Sequence, residues 1–274
     1  MTPIELSIKR KIEAIGVPLK DWDIKIYRGI LTGCNDAFII SSEKRAEILA
    51  NCTSPEEQER TDALIRPILR GKDMHRYKYN WAGKWLIATF PSLHYDIEKY
   101  PAVKEYLLSF GIERLEQTGC EYIIDGQKIK SRKKTNNKWF EMQDSINYWE
   151  EFSKPKIVWG NLNLRGAYSY APEGVFINAP SPFISTSDIA LLHILNSKVA
   201  DYYIRSLGIT RNGGYFEYKP MFVDKLPIPK HGIEKLNIFP AQPTNSQEVE
   251  IEDIVYQLYG LSEQEINYIE NQKS

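Results

Sequence analysis

The β-prone runs in this chain are short, and turn formers soon stop them. Residues 23–28 alternate apolar and polar; 37–40, 85–89, 156–159, 175–177 and 183–185 are further apolar-rich runs. Gly29 opens a loop in which Gly33 and Asn35 tolerate positive φ, and prolines crowd the turn between 175–177 and 183–185. Such runs outnumber the helical stretches that parallel crossovers require. The expected class is therefore α+β with a mixed or antiparallel sheet, not a doubly wound one. No internal repeat is visible.

Helices carry clearer signals. Ser54 is an N-cap with Pro55 in the first turn and Glu57 closing a capping box, and that helix should end near Pro67. Pro101 opens a helix through Phe110, interrupted by Gly111. Ile189, Leu192, Leu195, Val199, Tyr202 and Tyr203 recur at helical spacing, capped by Ser187 or Asp188, with Gly208 as the residue past the end. Pro227, Pro229, Pro240 and Pro243 mark 225–245 as an extended connector. Beyond it, 249–259 is amphipathic and stops at Gly260, and Ser262 with Glu265 caps a last helix through Asn271. The expected division is a body over 1–230 and a connector with a helical tail over 231–274.

Charge is unevenly spread. The whole chain has 35 Lys+Arg against 36 Asp+Glu, a net charge of -1. The tail from His231 holds 2 basic and 8 acidic residues, so the body holds 33 and 28 and is net basic. The near-neutral total therefore does not exclude a polyanionic partner. No apolar run approaches the roughly 18 residues of a membrane span, and the N-terminus alternates apolar and charged groups unlike a signal peptide. Cys34, Cys52 and Cys120 are odd in number and far apart, which fits neither a disulfide framework nor a zinc site. A cytoplasmic location is the expectation.

Motifs of catalysis are not found. There is no glycine-rich phosphate loop of either common type and no nucleophile elbow. Asn178-Ala179-Pro180-Ser181 lacks the second proline and the aromatic of an amino-methyltransferase signature and reads as a loop. No catalytic, cofactor-binding or metal-ligating residue is assigned.

The residues that point to chemistry are basic and polar. Arg132, Lys133, Lys134, Thr135, Asn136, Asn137 and Lys138 form a run without an acid, backed by Trp139 and Phe140. Lys and Arg neutralise phosphates, Asn fits the adenine edge and Arg the guanine edge. Arg211, Asn212 and Tyr215 flank two glycines that allow close backbone approach. Arg70 and Arg76 are further phosphate candidates, although Arg70 has Asp73 as an alternative partner. Thr32 and Asn35 lie in a polar turn that faces a ligand or merely closes a hairpin.

Taken in order, several segments resemble the TaqI-like C-terminal specificity domain of type IIG restriction–modification enzymes and adenine-specific DNA methyltransferases. They are 29–40 (Gly-Ile-Leu-Thr-Gly-Cys-Asn-Asp-Ala-Phe-Ile-Ile), 65–77, 131–159, 195–198, 225–229 and 254–261. The resemblance implies a target-recognition domain that grips duplex DNA across from a methyltransferase domain. It implies that S-adenosylmethionine, Mg, methyl transfer and cleavage belong to parent methyltransferase and nuclease domains outside this chain. Its base-reading positions diverge between members, so the residues named above rest on local chemistry alone. Two other readings stay open: a specificity subunit or interaction module docking a separate methyltransferase, and a stand-alone nuclease or transferase.

Overall fold

The computed structural model describes residues 1–272, so Lys273 of the tail lies outside the described residues. Two four-stranded sheets organise it. The first runs Tyr168–Ala171, Lys156–Trp159, Pro182–Ser185 and Ile26–Arg28, every pair antiparallel. The second runs Phe176–Ile177, Ile65–Leu69, Lys84–Ile87 and Ile39–Ser41, with one parallel pair at its edge. The class is thus α+β, with mixed and antiparallel sheets.

Strand Lys156–Trp159 is buried along its whole length because it separates two cores. Ile157 and Trp159 face one core and Val158 the other, as the two-residue side-chain period requires. The first core gathers Ile8, Ile12, Leu192, Val199, Ile204 and the tail's Ile251, Val255 and Tyr259. The second holds Ile68, Leu86, Val103, Leu107, Phe140, Met142 and Phe152. The sheets meet at Gly29, whose N–H donates to Ser181 O at 2.9 Å; a Cβ there would lie 2.5 Å from that oxygen, so only glycine fits.

The predicted strand at 37–40 begins as a helical turn, Asn35–Phe38, and only Ile39–Ser41 is extended. Ser54 does cap its helix, but the Glu57 carboxylate accepts instead from Thr53 N (2.6 Å) and from Ala102 N (3.0 Å). It thereby ties that helix to Pro101–Leu108. The long helix expected from 188 is two, Ile189–Leu195 and Lys198–Arg205. The Asn196 amide donates to Tyr168 O (2.8 Å) and its oxygen accepts from Tyr168 N (2.9 Å), while Ser197 caps the second helix. Gly208 does not terminate a helix in the left-handed region. It packs under Phe216 and Phe222, where a Cβ would lie 2.9 Å from the Phe216 ring.

Within the proline-rich stretch, Pro227–Pro229 pairs antiparallel with Gly16–Pro18. The tail helices Asn245–Leu258 and Glu263–Glu270 pack on the body, the second with both halves of its capping box formed. Glu265 accepts from Ser7 (2.6 Å) and Lys11 (2.7 Å), and Lys198 reaches Glu270 at 3.0 Å. Much of the acidic tail is therefore paired within the chain. No helix among the described residues is long and apolar enough to cross a membrane.

Candidate nucleic-acid interface

Strands Glu121–Ile124 and Gln127–Lys130 form a hairpin turned by Asp125 and Gly126, at φ 49° and 77°. Positive φ at both central residues suits the right-handed twist of a two-residue hairpin. A Cβ at Gly126 would meet nothing within 4 Å, so the tip is open. Tyr122 and Ile129 are half-buried on one face; Glu121, Ile123, Lys128 and Lys130 are exposed on the other, Ile123 at 82%. A two-stranded ribbon of this kind is one of the shapes the major groove admits.

The chain leaves the ribbon through Arg132, which is only 4% exposed. Arg132 Nε donates to Leu115 O (2.7 Å), Nη1 to Thr32 O (2.6 Å) and Glu141 O (2.8 Å), and Nη2 to Trp139 O (2.8 Å). Its guanidinium also lies 4.9 Å from the Phe38 ring centre. Burial lowers its pKa to about 10. The expectation that Arg132 meets a phosphate is corrected: four of its five N–H groups hold backbone carbonyls of three converging segments.

The neighbouring polar residues divide the same way. Thr32 is buried and donates to Asn35 Oδ1 at 2.7 Å, so it closes its own turn. Gly33, at φ 77°, lies against Arg132 and Gln143; a Cβ would sit 2.5 Å from Gln143 Oε1. Thr135 donates to Gln117 Oε1 (2.5 Å), and the Asn137 amide donates to Met142 O (3.3 Å) and Gln143 O (3.0 Å). Lys133, Lys134, Asn136 and Lys138 remain exposed, with Asn35 on the adjoining turn. The structure therefore joins the 32–35 turn, the ribbon and the 133–138 loop into one basic ridge. Lys128, Lys130 and Ile123 belong to it too. The acid-free basic run read from the sequence spans Lys128 to Lys138 and so includes both lysines, while Asp-Gly between alternating residues is the signal that finds the ribbon.

The other candidates lie elsewhere. Arg70 makes a two-pronged contact with Asp73, both distances 3.0 Å, the partner its sequence offered. Arg76 pairs with Glu248, donates to Asn196 O at 3.0 Å and sits 3.6 Å from Glu252. Arg211 pairs with Glu217, while Asn212 and Tyr215 are exposed on the first-core side.

Arg76 leads to a pH effect. Both Glu252 oxygens accept from Lys198 N (3.1 and 3.2 Å), yet burial raises its pKa to about 7 from an ordinary 4.5, against the pull of Lys198 and Arg76. The folded state then holds a proton the unfolded state has released. This contribution is complete below the unfolded pKa and is lost as pH climbs from 4.5 to about 7. Glu252→Gln should stabilise the chain by about 1–2 kcal/mol at pH 8 and little at pH 5. Thermal melts at both pH values check this; a destabilised variant at pH 8 contradicts it.

The fold and this ridge define the chain as an α+β module that presents a two-stranded ribbon, with Lys128 paired to Glu121 at 2.8 Å, beside a basic loop. It belongs to the TaqI-like C-terminal specificity domain family, whose profile matches residues 66–228, more than half of the chain. The resembling segments at 29–40 and 254–261 fall outside that match. Among solved structures, the type IIG restriction endonuclease BpuSI aligns with a TM-score of 0.52 at 14% identity, over 94% of this chain and 33% of that one. The type IIL restriction–modification enzyme MmeI, solved in complex with DNA, aligns at 0.54 and 12% identity, over 92% and 35%. The chain thus spans about a third of either enzyme, and at these identities the likeness is one of fold.

Proposed function

We propose that this chain is the target-recognition domain of a restriction–modification enzyme and binds duplex DNA in a sequence-specific way. The observation that carries the reading is the ridge, where one buried arginine fastens a frame and the surrounding lysines are left exposed. Lys130, Lys133, Lys134 and Lys138 contact phosphates and fix register, and Asn35 and Asn136 face base edges. Family membership supports the role. Methyl transfer and cleavage, with S-adenosylmethionine and Mg, are supplied by methyltransferase and nuclease domains outside this chain, and base extrusion is their task.

Selection of a randomised duplex pool on the full chain tests the proposal. The expected result is enrichment of one short sequence motif. A pool that stays random after repeated rounds would contradict it.

A further inference from the structure

Ile123 is 82% exposed on a ribbon face that is otherwise charged. One exposed isoleucine is ordinary. Here its cross-strand partner is Lys128, and Glu121 and Lys130 share the face, all exposed. Lys128 pairs with Glu121 at 2.8 Å, so the isoleucine lies beside a formed ion pair. The opposite face is committed to the body: Tyr122 and Ile129 are half-buried, and Tyr122 Oη donates to Glu116. The ribbon is also held at its base. Ser131 N donates to Cys120 O (3.0 Å) and Gly119 N to Arg132 O (2.9 Å), which continues the pairing down to the buried arginine. A Cβ at Gly119 would lie 3.6 Å from Lys134 Cβ, so the lysine loop runs against that base. Ile123 is thus carried on a fixed frame, which lowers the ordering cost of a contact.

Charge and shape select the occupant. Lys130, Lys133 and Lys134 are exposed and hold no ion pair among the described residues. Over 116–138 the chain carries six basic and three acidic residues, Glu116, Glu121 and Asp125. The first two acids are engaged as described, and Asp125 stands at the open tip with no side-chain partner among the described residues. A lone apolar group among charges does not match the apolar centre of a protein–protein interface. It matches the major-groove floor, where the thymine C5-methyl is the apolar group among donors and acceptors. A free carboxylate is repelled by phosphates but accepts from base amino groups, so Asp125 suits base edges and not the phosphate rails. Two strands about 4.8 Å apart fit a groove about 12 Å wide. Resting on the DNA-binding reading above, we propose that the outward face of the ribbon lies in the major groove and that Ile123 selects thymine by covering its C5-methyl, while Lys130, Lys133 and Lys134 hold the flanking phosphates.

The test uses the full chain and a duplex enriched from the randomised pool, with each thymine replaced in turn by deoxyuridine, which removes the methyl and keeps the base pair. At one position the replacement should weaken wild-type binding about 4-fold, the worth of one buried methyl. Ile123→Ala should bind the thymine duplex about 10-fold more weakly and no longer distinguish it from the uracil duplex. Its thermal midpoint should hold, because the side chain is exposed. Ile123→Val should keep the distinction. An enriched motif without thymine, equal wild-type affinity for every uracil duplex, or an Ile123→Ala variant that still distinguishes the two overturns the methyl contact and leaves the DNA-binding reading standing. If wild type binds no duplex at all, both readings fall.

Discussion

Arg132→Met should destabilise the chain by about 3–4 kcal/mol, seen as a lower urea midpoint with little change in slope. The side chain fits the space, so the loss comes from carbonyls. Leu115, Thr32, Glu141 and Trp139 each lose a charged donor held at 2.6–2.8 Å. A buried carbonyl left without a partner costs about 1–3 kcal/mol, and entering water recovers part of that. Arg132→Lys should recover less than half of the loss, because an ammonium has three donors from one point and cannot span three segments. A variant as stable as wild type would show that the ridge is not fastened here.

Replacing Lys133, Lys134 and Lys138 together with alanine should weaken duplex binding roughly 10²–10³-fold at about 0.1 M salt. Each lost phosphate contact removes close to one unit from the dependence of log K on log salt, so the slope should flatten by about 3. All three side chains are exposed, so the thermal midpoint should hold. The two variants separate two kinds of arginine and lysine that sit side by side in sequence. Loss of binding in Arg132→Met follows loss of the frame; loss of binding in the lysine variant does not.

Much of the fold was legible because burial leaves a pattern. Residues 156–159 read as a buried strand from their apolar run, and Ser262 with Glu265 read as a helix start from reciprocal capping chemistry. What escaped depends on distant partners. The apolar spacing from Ile189 to Tyr203 continues across Asn196, so nothing local shows that Tyr168 captures the Asn196 side chain and breaks the helix. Glu57 sits at a capping position, but Thr53 and Ala102 claim its carboxylate. Arg132 looks like its lysine neighbours, and only the convergence of three segments buries it. The Asp125-Gly126 turn is the opposite case: its signal is local and strong, and the density of charge beside it hid the ribbon.

Within the candidate site, the basic run was legible as a charge cluster, whereas the division between frame and contact was not. Thr32, Thr135 and Asn137 carry the same chemistry as Asn136, yet their hydrogen bonds turn inward. Polar side chains in loops that cross one another satisfy the loops first. The residues that remain exposed, Asn35, Lys133, Lys134, Asn136 and Lys138, are the ones available to a ligand.

The central claim is that the ridge holds duplex DNA through phosphate contacts, and a salt titration of duplex binding by the full chain tests it most directly. Four lysine contacts, at Lys130, Lys133, Lys134 and Lys138, predict that log K falls linearly with log salt at a slope of about −3 to −4. Binding that is flat with salt, or no binding at low salt, would contradict the account.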